Sequence, residues 1–173
     1  GSAVLALDCV LTSHFKTLIK NIKCASIYCA RGGECDVMAA ITGVSPPTVE
    51  LALPCATSKS APLVFRRWRS GDPRIIGALG FDEPLENAPE VAPDLIFAPL
   101  IGFDRRLNRL GQGAGHYDRA FAAFPNAVRI GVAWSCQEVD SIPTDPWDVP
   151  LDGIITEKEW IPAFPKRIID DQA

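Results

Sequence analysis

The chain is short of the residues that hold zinc or build disulfide scaffolds. It has two histidines, His14 and His116, and its six cysteines contain no Cys-x-x-Cys pair, so no zinc pattern is complete. A chain of 173 residues with a real core needs no disulfide staples. Cys9, Cys24, Cys29, Cys35, Cys55 and Cys136 therefore read as small, mostly buried apolar side chains in a reducing compartment. Basic charge is scarce as well: a net charge of −4 does not offer the positive face of a general nucleic-acid binder. No uninterrupted apolar run approaches the roughly 18 residues of a membrane span. No basic segment precedes the short apolar run at 3–7, so no secretory signal is expected, and Gly1-Ser2 reads as a cloning remnant. Internal repeats and low-complexity tracts are also lacking. These absences predict a soluble, single-domain, cytoplasmic protein with neither a nucleic-acid nor a membrane partner.

What is there suits a packed core: 47% of residues are apolar and 22% charged. Val4, Leu7, Leu11, Phe15 and Leu18 recur every three or four residues, as on one face of a helix that Asn21 can stop. Residues 24–29 are short and apolar and suit a buried strand. After Arg31-Gly32-Gly33, the spacing of Val37, Met38 and Ile41 predicts a helix over 34–44, broken by Ser45-Pro46-Pro47. Residues 49–53 and 63–65 read as strands. The stretch 66–93, punctuated by proline and glycine, reads as loops and short hairpin strands. Residues 94–99 form the clearest buried strand, 128–134 another and 153–156 a last short one. Between them Tyr117, Ala120, Phe121 and Phe124 predict a short amphipathic helix. Strands alternating with helices argue for an α/β fold with a largely parallel sheet.

Chemistry concentrates in one segment, Arg109-Leu110-Gly111-Gln112-Gly113-Ala114-Gly115-His116-Tyr117-Asp118, which follows a buried strand and opens a helix. Alternate glycines let backbone N–H groups turn inward, and the helix N-terminus adds partial positive charge, so an anion such as a polyphosphate fits there. Arg66, Arg67, Arg69, Arg74, Arg105, Arg106 and Arg119 gather around it in an otherwise acidic chain. The P-loop Gly-Lys-Ser/Thr is absent, and the dinucleotide pattern would need its third glycine at His116, so neither fingerprint is met. A tight structural connection is the alternative. Asp118 either complements the helix dipole or offers an oxygen to Mg²⁺. Asp148, on the proline-held loop 145–152, is either a turn residue or a second metal carboxylate. Glu34 stands either at a ligand-facing strand end or in the first turn of a helix.

In one register, Pro99-Leu100-Ile101-Gly102-Phe103-Asp104, Asn108-Arg109-Leu110-Gly111, Gly113, Gly115 and Tyr117-Asp118 resemble the signature of the 5-formyltetrahydrofolate cyclo-ligase (methenyltetrahydrofolate synthetase) family. Glu34, Leu53-Pro54 and Glu83-Pro84 match upstream. Gly131-Val132-Ala133, Gln137, Pro143, Asp148, Asp152 and Thr156-Glu157 match downstream, so the resemblance spans about 25–157. It implies a three-layer α/β sandwich of the kind shared with sugar-phosphate isomerases and CoA transferases. It also implies an ATP- and Mg²⁺-dependent conversion of 5-formyltetrahydrofolate to 5,10-methenyltetrahydrofolate, ADP and phosphate, in a chain expected to be a monomer.

Carried over by position, Arg109, Leu110, Gly111, Gln112, Gly113, Ala114, Gly115, His116 and Tyr117 would line ATP. Gln112, Gly113, Ala114, Gly115 and His116 would be shared with the folate, and Cys29 and Glu34 would meet its pterin end. Asp118 and Asp148 would hold magnesium. The chain departs from the pattern in three ways. The lysine and arginine of the family's first helix would precede Gly1. Gln112 and Ala114 stand where a tyrosine or a cation is usual, and His116-Tyr117 replaces a tyrosine pair. These departures leave a second reading, a non-catalytic folate- or nucleotide-binding homologue. A third is a different reaction on the same architecture.

Overall fold

The computed structural model describes residues 1–163. The chain opens with α1 (Ser2–Leu18), which tightens into a 3₁₀ turn at Ile19–Asn21, where the sequence expected it to stop. Leu7, Leu11, Phe15 and Leu18 are buried as the periodicity requires, whereas Val4 is half exposed. By length and hydropathy the stretch Ser2–Asn21 would qualify as a membrane span, contrary to the sequence reading. Here its apolar stripe covers the sheet instead.

Next come β1 (Cys24–Ser26), α2 (Met38–Val44), β2 (Glu50–Cys55) and β3 (Val64–Arg67). The predicted helix over 34–44 begins only at Met38. Glu34 spends its carboxylate on the Arg31 N–H and its own N–H on the Arg31 carbonyl, while Asp36 caps the Met38 N–H at 2.9 Å. Polar side chains that bind nearby backbone compete with helix in this way. Glu34 thus lies in a turn, not in a helix's first turn. The expected short hairpin strands are β4 (Arg74–Ile76), β5 (Asp82–Pro84) and β6 (Glu90–Val91). Then follow β7 (Leu95–Ala98), β8 (Gly102–Phe103), β9 (Arg109–Leu110), α3 (His116–Ala123), β10 (Val128–Val132), β11 (Gly153–Ile155) and β12 (Trp160–Pro162).

Eight strands form one sheet in the order β12-β11-β10-β7-β1-β2-β3-β6. Its centre, from β11 to β2, is parallel, and the pairings with β12, β3 and β6 are antiparallel. Alternation along β7 assigns the two faces. Leu95 and Phe97 pack with Leu7, Leu11 and Phe15 of α1 and Ile41 of α2. Ile96 and Ala98 pack with Ala120 and Phe121 of α3. Helix, sheet and helix make the expected three layers.

The cysteines divide. Cys24, Cys35 and Cys55 are buried, and burial pushes their thiols up to about 12, about 12 and about 11. Cys9 and Cys136 are exposed, which corrects the expectation that most of the six are buried. Exposure follows from position: Cys9 falls on the outer face of α1 and Cys136 in a 3₁₀ turn, Ser135–Gln137, after β10.

Candidate active site

Chain direction reverses beside β1: the path runs to β2 on one side and to β7 and β10 on the other. In open α/β sheets such a switch leaves a crevice beyond the carboxyl ends of the strands. A cleft of 490 Å³ lies there. Its walls are residues following β1, the backbone following β7, the segment 109–118, and the loop that runs from Ile142 to Asp148. Every residue assigned a ligand role from the sequence (Cys29, Glu34, 109–118 and Asp148) lines it.

Arg109 is the buried cation of the cleft. Its side chain is only 7% exposed. One terminal nitrogen donates to the Pro99 carbonyl at 3.3 Å, the other lies 3.6 Å from Asp118 Oδ2, and the guanidinium sits 5.4 Å from the centre of the Tyr117 ring. Burial lowers its pKa and Asp118 opposes that shift; an arginine remains a cation throughout. Arg109 Nε is buried with no hydrogen-bond partner among the described residues. An orphaned donor on a fixed cation is costly unless an acceptor arrives, so the arrangement suits an anionic ligand.

The glycines of the loop have separate jobs. Gly113 (φ +91°) and Gly115 (φ +69°) take left-handed backbone that other residues rarely adopt. Gly111 does not; a Cβ there would stand 2.8 Å from Arg109 Nη1, so its smallness makes room for the guanidinium. Gly115 ends the loop as the residue before α3, whose first-turn N–H groups lack intrahelical partners. Gln112, Gly113 and Ala114 are exposed at the mouth. His116 sits at the helix start, its Nε2 3.4 Å from the Ser58 carbonyl, and Arg119 donates to the Lys59 carbonyl at 2.8 Å.

Facing this loop, Glu34 Oε1 lies 3.5 Å from Gln112 Nε2. Trp134, beyond β10, donates its indole N–H to the Gly33 carbonyl at 3.0 Å and so fixes the turn that presents Glu34. Cys29 accepts from Arg74 at 3.1 Å; burial raises its thiol pKa and the Arg74 contact offsets part of the rise. Arg74, read from the sequence only as part of a basic stretch, therefore reaches the rim of the cleft. Tyr28 is buried beneath it and donates to the Cys35 carbonyl at 2.8 Å.

Asp118 Oδ1 accepts the Val149 N–H at 3.4 Å, which draws the loop bearing Asp148 toward α3. Asp148 Oδ2 accepts the Asp145 N–H at 2.7 Å. Asp104 binds the same loop to the β8–β9 hairpin. Its two oxygens accept from the Arg106 and Asn108 N–H groups, the Asn108 amide and the Ile142 N–H at 3.0–3.1 Å. Burial works against its charged form, but these donors outweigh it and hold the pKa below the usual carboxylate value. Gln137 anchors the backbone after β7 by donating to the Leu100 and Ile101 carbonyls at 2.9 and 3.1 Å.

Asp118 and Asp148 offer the hard oxygen donors that magnesium takes, and that ion completes its shell with water and phosphate oxygens. No group of three or more His, Cys, Asp or Glu side chains converges among the described residues. Two carboxylates beside an anion loop thus fit a magnesium ion that arrives with a phosphorylated ligand, rather than an all-protein cage. The sequence did not single out Tyr28, Phe81, Ile142 or Trp147, which also line the cleft. Apolar residues there carry no motif, and only the folded chain distinguishes them from core.

A glycine-lined cleft with a buried arginine and facing carboxylates, at the switch point of a mainly parallel sheet, defines the active-site crevice of an α/β enzyme. Comparison with known proteins gives the family. The model of the 5-formyltetrahydrofolate cyclo-ligase family matches residues 9–157, and the chain belongs to that family. The match extends past the motifs into α1. The chain is 33% identical over 154 residues to the 5-formyltetrahydrofolate cyclo-ligase of Haemophilus influenzae, covering 84% of this chain and 82% of that one. It is 29% identical over 143 residues to the enzyme of Escherichia coli K12, covering 78% and 79%. The solved structure of Aquifex aeolicus 5,10-methenyltetrahydrofolate synthetase superposes with a TM-score of 0.73 at 31% identity, over 93% of this chain and 83% of the other.

Proposed function

We propose that the chain uses ATP, with magnesium, to close 5-formyltetrahydrofolate into 5,10-methenyltetrahydrofolate, releasing ADP and phosphate. The observation that carries the phosphate end of this reading is Arg109, a buried cation with an unpaired Nε at the floor of a glycine loop. The family assignment supports the reaction and its ATP dependence.

Arg109, the backbone of 111–115 and the start of α3 bind and orient the triphosphate. Phosphoryl transfer needs such positioning and charge more than it needs a covalent nucleophile. Glu34, held open by its turn, accepts N–H groups of the pterin, and Cys29 packs beside it as an uncharged thiol. The formyl oxygen takes the γ-phosphoryl group as ADP leaves. N10 then bonds to the formyl carbon and loses its proton, and the carbon–oxygen bond breaks as phosphate departs. Asp118 and Asp148 would hold magnesium, which when bound neutralises phosphate charge. The six unbridged thiols, three of them kept inert by burial, support a cytoplasmic setting.

The test is a turnover assay on the purified chain with 5-formyltetrahydrofolate, following the methenyl product by its near-ultraviolet absorbance. Product that requires both ATP and magnesium is the expected result. Tight binding of either substrate without product would replace this reading with a binding-only homologue.

A further inference from the structure

Trp147 is the largest exposed apolar side chain on the cleft, at 70% exposure. Burying an indole is worth a good deal, yet this ring has no aromatic or cation partner among the described residues. Its backbone, however, is fixed. Trp147 is the third residue of a turn closed from both ends: the Asp148 N–H donates to the Asp145 carbonyl at 3.0 Å, and the Asp148 carboxylate accepts the Asp145 N–H. Pro146 occupies the second position, where proline presets the turn. A rigid turn that holds a flat ring out into a cleft is preorganised for a flat ligand.

We infer that Trp147 is the platform on which the adenine ring of the nucleotide stacks; the inference rests on the assignment of Asp148 to the nucleotide's metal. Two planar ligands are in question, and the sheet order separates them. Glu34 and Cys29 follow β1, whereas Trp147 and Asp148 lie on the path from β10 to β11, with β7 between the two sides. At about 4.8 Å per strand the two walls stand roughly 10 Å apart. The pterin is placed on the β1 side by Glu34, which leaves the wall beyond β7 to the nucleotide. Trp147 is bonded directly to Asp148, so a ring stacked on it belongs to the molecule whose phosphates Asp148 serves. Ile101 and Leu110, each half exposed and joined by a backbone hydrogen bond of 2.8 Å, line the same cleft and offer the stacked ring further apolar surface.

The experiment compares Trp147→Ala and Trp147→Phe with the unaltered chain, using ATP, 5-formyltetrahydrofolate and, as a base-free competitor, inorganic tripolyphosphate. Loss of one base–aromatic stack corresponds to about a tenfold rise in KM for ATP. That rise is expected in Trp147→Ala with the tripolyphosphate inhibition constant and the folate KM unchanged, and Trp147→Phe should recover most of it. ATP alone should quench the indole emission of the unaltered chain, and Trp147→Phe should abolish that change. An unchanged ATP KM, a shift on the folate KM instead, or an equal loss of tripolyphosphate affinity would each overturn the assignment. Asp148→Asn measured alongside separates the two levels. If it weakens the magnesium response while Trp147→Ala leaves ATP binding intact, the platform alone is wrong; if the magnesium response is untouched, the reading beneath it fails.

Discussion

Gly111→Ala tests the anion receptor without removing a single hydrogen-bonding group. The new Cβ would stand 2.8 Å from Arg109 Nη1, and ordinary contact begins at 3.4 Å, so the guanidinium must retreat by about 0.6 Å. It has no slack: Pro99, Asp118 and the Tyr117 ring hold it on three sides. Gly111 has no left-handed φ, so the backbone accepts alanine without strain. The damage therefore falls on the position of one cation. A misplacement approaching 1 Å at a reacting group costs up to about a hundredfold, so 0.6 Å should cost kcat/KM for ATP about tenfold, or ~1.4 kcal/mol of transition-state stabilisation. Thermal unfolding should move by less than about 3 °C. The assay is initial-rate kinetics at saturating folate and varied ATP, repeated in an Arg109→Ala background. With the guanidinium gone, Gly111→Ala should cost almost nothing further, because the two changes act through one group. An equal cost in both backgrounds, or a rate loss that tracks a large fall in stability, would refute the reasoning.

Asp104 gives a prediction in pH. Its folded pKa is depressed, so its stabilisation is complete above about pH 4, the unfolded value, and is lost as pH falls through the lower folded value. The urea midpoint of the unaltered chain should therefore fall between pH 5 and pH 3 more steeply than that of Asp104→Asn, which at pH 6 should be about 2 kcal/mol less stable; parallel pH profiles would count against it. Thiol labelling of the native chain at pH 8 should find Cys9 and Cys136 fast, with Cys24, Cys35 and Cys55 released only on denaturation. Rapid reaction of five or six thiols would show that the buried three are not enclosed as described.

The parts of the fold that could be read in the sequence are those governed by periodic burial. Leu7, Leu11, Phe15 and Leu18 mark α1, and the run at 95–98 marks β7, because one face or both faces must leave water. The glycine segment was legible as a loop that opens a helix, because positive φ and helix ends have few sequence solutions. The β8–β9 hairpin was not legible. Its strands are two residues each, and what closes it is Asp104 accepting four donors around Leu107, which itself adopts φ +66°. The start of α2 was misplaced because Glu34 and Asp36 bond locally to backbone. Trp160 of β12 gave no periodic signal; its ring lies where a side chain at position 153 would be, and Gly153 leaves that space empty.

The bonds made around Asp104 also determine which wall of the cleft is stiff. Phe103 accepts the Val139 N–H, Leu107 accepts the Leu151 N–H, Asp104 accepts the Ile142 N–H and Asp118 accepts the Val149 N–H. The hairpin, the loop beyond it and the head of α3 are thereby riveted into one shell. The facing wall, where β5 brings Phe81 and Asp82 to the cleft, is moored more lightly, by Glu83 to the Ala56 N–H and by Arg74 to Cys29. A ligand that needed more room would displace the lighter mooring before the shell, so the glycine loop and the head of α3 would keep their shape as the cleft fills and empties.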